Sequence, residues 1–171
     1  FAARGHDIDR ERDALGDGYV DALAFAYPDV PLSSDYVMYW WERAAISLHK
    51  GVKRFGLIST NSVKQVFNRA TIQRHFDGSE PVSLIFAVYD HPWRAGVKDA
   101  AVVRISMTVG ELGKKQGKLL HIDGEAALDT DEPILAFSED QGWINADLTV
   151  GADASSAQAL TANQGVSWNG L

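Results

Sequence analysis

Ser34–Ser62, SDYVMYWWERAAISLHKGVKRFGLISTNS, decides how the chain reads. Ser34 is a helix-capping residue type, and Asp35 suits the positive end of a helix dipole. Val37, Trp40, Trp41, Ala44, Ala45 and Leu48 recur at three- and four-residue steps, which predicts a helix with one apolar face. Gly51 stands where a left-handed stop is wanted. Phe55, Gly56, Leu57 and Ile58 form a short apolar run, as expected of a parallel strand covered on both faces. That strand delivers a polar loop, Ser59-Thr60-Asn61-Ser62, to its carboxyl end. In open α/β sheets, ligands bind at that edge.

Working outward, Leu15–Tyr27 carries helical spacing at Tyr19, Leu23 and Ala26, and Pro28 and Pro31 end it. Gly16-Asp17-Gly18 reads as a helix-entry turn, and Phe1–Arg12 as loop or a frayed turn. Past the central strand, Val63, Val66, Phe67 and Ala70 mark an amphipathic helix that stops at Asp77-Gly78. Val82–Val88 is a second buried strand, so Phe55–Val88 reads as a right-handed strand–helix–strand crossover with parallel strands. Tyr89–Asp99 is too short for a full helix. It reads as a loop at the same carboxyl edge, and the strand Ala101–Val109 must then return antiparallel. Ala101, Val103, Ile105, Met107 and Val109 share one face, and Arg104, Ser106 and Thr108 the other. Gly110–Lys118 reads as a turn and Leu119–Ile122 as the extension of a hairpin. Composition shifts near Asp123, where Glu125–Glu132 is acidic. Ile134–Phe137 and Trp143–Val150 read as short strands, Ser155–Ala162 as a helix capped by Asp153 or Ser155, and Asn163–Leu171 as a tail without periodicity.

Length and composition bound the function. The 171 residues suit one domain, and 46% apolar content supports a real core. The absence of cysteine excludes a disulfide framework or thiolate metal site and suits a reducing, cytoplasmic location. No apolar run approaches the ~20 residues that span a bilayer. A net charge of −7 argues against a free-standing nucleic-acid clamp while leaving room for contact through one patch. Phe1 in place of Met marks an excised or trimmed piece.

Dinucleotide fingerprints, P-loops and nucleophile elbows are absent from the sequence. The five histidines are scattered without metal-ligand spacing, so no metal is expected. Trp40 and Trp41 diverge by about 100° on a helix, so at most one can face a ligand, and core packing is the simpler role. Two stretches rise above this background. Ser59–Ser62 offers hydroxyls and an amide, with helix capping as the alternative. Asp90-His91-Pro92-Trp93 offers a carboxylate, an imidazole, a stiff turn and a large aromatic, with a loop pinned by a buried Trp as the alternative. Their convergence at one sheet edge is what favours function. Arg4, Arg54, Arg69 and Arg94 are basic groups that could meet phosphates there.

The blocks SSDYVMYWWERAA, RFGLISTNSVKQVFNR, VYDHPW and AAVVRISMTVGE, in that order, resemble the methyltransferase part of type IIG/IIL restriction–modification enzymes and related N6-adenine DNA methyltransferases. The later DLTVGADASSAQALTANQGVSWNG resembles the stretch leading into that family's target-recognition domain. The resemblance implies an α/β chain, the C-terminal half of a Rossmann-like S-adenosylmethionine-dependent methyltransferase fold. Its sheet is mixed, with an antiparallel last strand lying between the two before it. Residues 1–122 would belong to the catalytic domain, and 123–171 would form a small β-rich connector.

The implied activity is methyl transfer to adenine N6 in double-stranded DNA, with the base flipped out of the duplex. Phe1 would be the final aromatic of an Asn-Pro-Pro-Tyr/Phe motif, and Asn61 a second catalytic candidate. Arg4, Arg54, Thr60, Asn61, Ser62, Arg69, Asp90, His91, Pro92 and Trp93 would meet the base or DNA. The glycine-rich loop for S-adenosylmethionine would lie outside this chain, so the chain alone would neither bind the cofactor nor methylate. Lacking its preceding strand, the edge of Phe55–Ile58 would self-associate or be covered by Phe1–Arg12. A non-catalytic scaffold for a recognition domain, or an unrelated nucleotide-binding α/β enzyme, are the alternatives.

Overall fold

In chain order come helices α1 (Ile8–Leu15), α2 (Asp17–Ala26) and α3 (Val37–His49), then strand β1 (Phe55–Thr60). A 3-10 turn (Asn61–Lys64), helix α4 (Val66–Phe76), β2 (Val82–Trp93), β3 (Val103–Leu112), β4 (Gly117–Ala126) and β5 (Ile134–Gly142) follow. This is a computed structural model, and it describes residues 8–93, 103–128, 130 and 133–152, with side chains from residue 12 onward. Phe1, Arg4, Arg94 and the expected Ser155–Ala162 helix lie outside the described residues. No described helix is long and apolar enough to cross a membrane.

The five strands form one mixed sheet in the order β1-β3-β2-β4-β5. β3 pairs antiparallel with both β1 and β2, so β1 and β2 run in the same direction with β3 between them. The antiparallel return expected from the short connection is therefore present. Among the described residues β1 pairs only with β3, so it is an edge strand. β4 departs from expectation: it does not pair with β3 as a hairpin but lies parallel to β2 on the far side. To get there the chain passes the start of β2, and Gly117 makes the passage possible. A Cβ at Gly117 would overlap the carbonyl oxygen of Leu84. β5 then pairs antiparallel with β4 as far as Gly142. Asp123, where composition shifts, lies inside β4. Trp143–Val150 is a tight loop held by isolated bridges from Ile144 to Leu84 and Val150, not a strand.

Helices α3 and α4 supply the core that meets the sheet. Trp41, 1% exposed, packs edge-on against Phe55 at 5.3 Å between ring centroids. Met38, Ala45 and Leu48 join Ile72, Val82, Leu84, Ala87 and Leu119 in one cluster. Trp40 stays 41% exposed, in keeping with the divergence of adjacent helical positions.

Several expectations are corrected. Ile8–Arg12 is helical, and Gly16, at φ 83, breaks that helix from α2. Ser34 does not cap α3; its hydroxyl donates to the Phe67 carbonyl, and Tyr36 holds the cap position without a side-chain bond. β1 is not covered on both faces, since Gly56 and Ile58 are exposed. α4 buries Asn68, Thr71, Ile72 and His75, while Val66 and Phe67 face outward. Tyr89–Trp93 is not a loop but the continuation of β2. Gly51, by contrast, adopts the positive φ expected of a helix stop, at 97°.

Candidate functional site at the carboxyl edge of the sheet

Where β1 ends, the chain tightens into the 3-10 turn and presents Asn61 towards the two neighbouring strands. β2 meets it through an irregularity. The register of β2 against β3 shifts between Val88 and His91, and Asp90 within that shift has φ 61. Asp tolerates this left-handed backbone better than most residues, and a bulge re-aims the side chain it carries. The Asn61 amide donates to Asp90 Oδ1 at 2.6 Å, and the Ser106 hydroxyl of β3 donates to Asn61 Oδ1 at 2.9 Å. Asn61 thus links the ends of β1 and β2 to the start of β3. Two of its hydrogen-bonding positions are filled, which leaves one N–H and one lone pair for a ligand.

Further hydrogen bonds hold the turn from behind. The Ser62 hydroxyl donates to the Asp35 carboxylate, and Thr60 Oγ1 lies 2.5 Å from the Ser62 hydroxyl. Asn68, 1% exposed, donates to Asp35 Oδ2 at 3.0 Å and to the Ser62 carbonyl at 2.7 Å. Its own carbonyl accepts the Asp35 N–H at 2.8 Å. Asp35 is therefore a junction between α3, α4 and the turn bearing Asn61.

On the outer side Arg104 donates to the Asp90 carbonyl at 3.1 Å and grips both oxygens of Glu125. The hydrogen bond from Arg104, foremost among the causes, holds the Glu125 carboxyl below the usual glutamate value. The His91 ring stacks on Phe137 at 6.4 Å, and its buried Nδ1 makes no hydrogen bond among the described residues. Lys64 sits over the Tyr89 ring at 3.7 Å, a cation–π contact. Trp93, 42% exposed, ends β2 opposite Val103.

The structure therefore brings Thr60, Asn61, Ser62 and Asp90 together, with His91, Pro92 and Trp93 continuing along β2 from the same point. Arg69 lies on α4, in the turn next to Asn68. Arg54 does not belong with them. It precedes β1, at the opposite end of the sheet, and donates to Glu111. Asp35, Asn68, Ser106 and Arg104 are the participants that pattern reasoning left out. Ser106 and Thr108 did carry a signal, being polar residues that alternate with apolar ones in this strand; they are 0% and 2% exposed.

Asn61 can offer a donor and an acceptor to one edge of a planar polar ligand, with a half-exposed indole further along β2. No known protein-family profile and no curated protein matches the chain. Among solved structures it is similar to a type IIL restriction–modification enzyme, MmeI, determined in complex with DNA, with a TM-score of 0.58 and 18% sequence identity. The match covers 80% of this chain and 18% of that one, so the chain spans under a fifth of the length of the enzyme whose fold it shares in part.

Proposed function

We propose that the chain is the second half of the catalytic domain of a DNA methyltransferase, acting on adenine N6 within a restriction–modification protein. The observation that carries this reading is the placement of antiparallel β3 between the co-directional β1 and β2. This is the arrangement that the sequence resemblance implies for the last strands of a Rossmann-like methyltransferase sheet. The partial likeness to a DNA-bound restriction–modification enzyme supports the same reading.

On this reading the free N–H and lone pair of Asn61 meet the purine edge of a flipped adenine. Asparagine is suited to that edge because it pairs a donor with an acceptor. Asp90 and Ser106 orient the amide, and Trp93 offers a stacking surface next to it. S-adenosylmethionine, when bound, supplies the methyl group. On this reading the cofactor site lies outside this chain, as the sequence resemblance implies, and double-stranded DNA is the partner of the longer protein.

The test is made on the longer protein that carries this chain. Incubated with duplex DNA and labelled S-adenosylmethionine, it should yield N6-methyladenine on digestion and mass spectrometry. Label on cytosine, or cofactor binding without any DNA methylation, would overturn the assignment.

A further inference from the structure

The amino edge of the sheet, the end away from Asn61, carries a concavity of its own. Two clefts of about 320 Å³ and 640 Å³ meet at Lys115, which lines both. Phe76, Val82, Ile144 and Trp143 wall the first, with Lys114 at its rim. Val52, Lys53, Arg54 and Glu111 line the second. Arg54 precedes β1, Lys114 and Lys115 follow β3, and Val82 opens β2. β1 alone, at six residues, separates this edge from Asn61 by about 20 Å.

Charge here runs against the rest of the chain. The clefts gather Lys53, Arg54, Lys114 and Lys115, all exposed, against two carboxylates, in a protein whose net charge is −7. Of those acids, Glu111 bonds both Arg54 and Lys115, and Asp77 accepts from the Gln73 amide at 3.0 Å. Trp143 is 50% exposed, although its neighbour Ile144 is 5% exposed and bridged to Leu84. The indole is thus an open aromatic surface on a fixed backbone.

We propose that this amino-edge groove binds a single-stranded nucleic-acid segment, one base stacked on Trp143 and the phosphates tracking Lys114, Lys115, Arg54 and Lys53. An aromatic platform beside a basic groove is the general way proteins hold a single strand without reading its sequence. The cations are spread over both clefts, which favours a strand over a free nucleotide. An acidic peptide would satisfy the cations but leave Trp143 and the apolar wall unused. The proposal uses none of the carboxyl-edge residues, so it stands or falls separately from the methyltransferase reading.

The test is fluorescence anisotropy of the full chain with a labelled oligothymidylate about ten nucleotides long, at low salt. Binding should quench tryptophan emission and weaken with salt, with a log–log slope of about −3 if all four cations meet phosphates. Trp143→Ala should weaken binding at least about fivefold, and Trp143→Phe should restore most of it. Joint Lys53→Glu and Lys114→Glu substitution should weaken binding and make the salt slope shallower by about 1 or more, with the far-ultraviolet dichroism of every variant matching the wild type. Affinity indifferent to both Trp143 and the lysines, or no binding at all, would overturn the proposal. So would equal competition by thymidine monophosphate at the same nucleotide concentration, or by polyglutamate.

Discussion

Asp35 and Glu42 are both buried carboxylates, 6% and 3% exposed, one just before α3 and one within it, and both are bonded to α4. Their partners differ in kind. Asp35 is held by neutral donors, the Ser62 hydroxyl and the Asn68 amide. Glu42 is held by Arg74 at 2.5 Å and His75 Nε2 at 2.7 Å. Burial alone would raise the Glu42 carboxyl, but the hydrogen bonds and charges of His75 and Arg74 outweigh it and hold it below the usual glutamate value. The Asp35 network continues through Ser62 to the turn that presents Asn61. The Glu42 network runs the other way, through Arg74 to Asp29 at 3.5 Å on the surface. Both fasten the same two helices, but only the first also sets the geometry of the candidate site.

The largest effect should come from Asn68→Ala. It strips partners from the buried Asp35 N–H and carboxylate, and each unsatisfied buried group costs about 1–3 kcal/mol. A loss of about 3 kcal/mol is expected from urea denaturation. In the longer protein, methylation should fall as well. Normal stability would mean that Asp35 finds other partners and the comparison fails.

Glu42→Gln should cost less, about 2 kcal/mol near neutral pH, since it removes charge assistance while keeping shape. Its signature is in acid. The folded Glu42 carboxyl lies below its unfolded value, so its contribution is fully present above about pH 4.3 and is lost as pH falls through the folded value. Wild-type stability should therefore drop more steeply than that of the Gln variant below about pH 4. Parallel profiles for the two proteins would show that the Glu42 pair carries no such linkage. Catalysis in the longer protein, corrected for folding, should be unchanged by this substitution.

Asn61→Ala sharpens the contrast from the other side. Asn61 is half-buried; its partner Asp90 reaches water and only the Ser106 hydroxyl is left buried without a partner, so the stability loss should be about 1 kcal/mol. The methylation rate at limiting DNA should nonetheless fall about tenfold or more, because a bidentate amide–adenine contact contributes about 1–3 kcal/mol. A stable variant with unaltered kinetics would remove Asn61 from the site.

These two networks also mark how far the sequence could be read. Apolar spacing identified Val37, Trp41, Ala45 and Leu48 on the inner face of α3, but it also put Trp40 there, which is exposed, and Ala44, which is half-buried. The same rule chose the wrong face of α4, because Asn68 and His75 are buried by pairing with α3 rather than by hydrophobicity. Hydropathy cannot see a polar residue whose partner lies on another element. The antiparallel return of β3 was legible because it depends only on the length of a connection. The passage of β4 to the far side of β2 was not, since it turns on a close approach at Gly117 between segments distant in sequence. The meeting of Thr60 and Asn61 with Asp90 followed from both lying at strand ends. That Asp90 sits in a bulge of a longer β2 did not, because Asp-His-Pro reads locally as a turn. Arg54 was grouped with the site by charge alone, whereas its position before β1 sends it to the other end of the sheet.

The edge position of β1 has a consequence for how the protein is made. β1 is complete at Thr60, but its partners, Ile105 to Gly110, are synthesised later. At ribosomal speed that interval is roughly 2–10 s. For that time β3, the one sheet neighbour of β1 among the described residues, does not exist, and a contact within reach is the local one between Phe55 and Trp41 of α3. The emerging chain therefore carries a helix–strand pair whose β3-facing hydrogen-bonding edge is open, the condition under which chaperones and neighbouring nascent chains compete with folding. Arrest-peptide force measurements should register the main folding step only after β3 has left the tunnel; tension developing before Val103 emerges would mean that β1 finds another partner first.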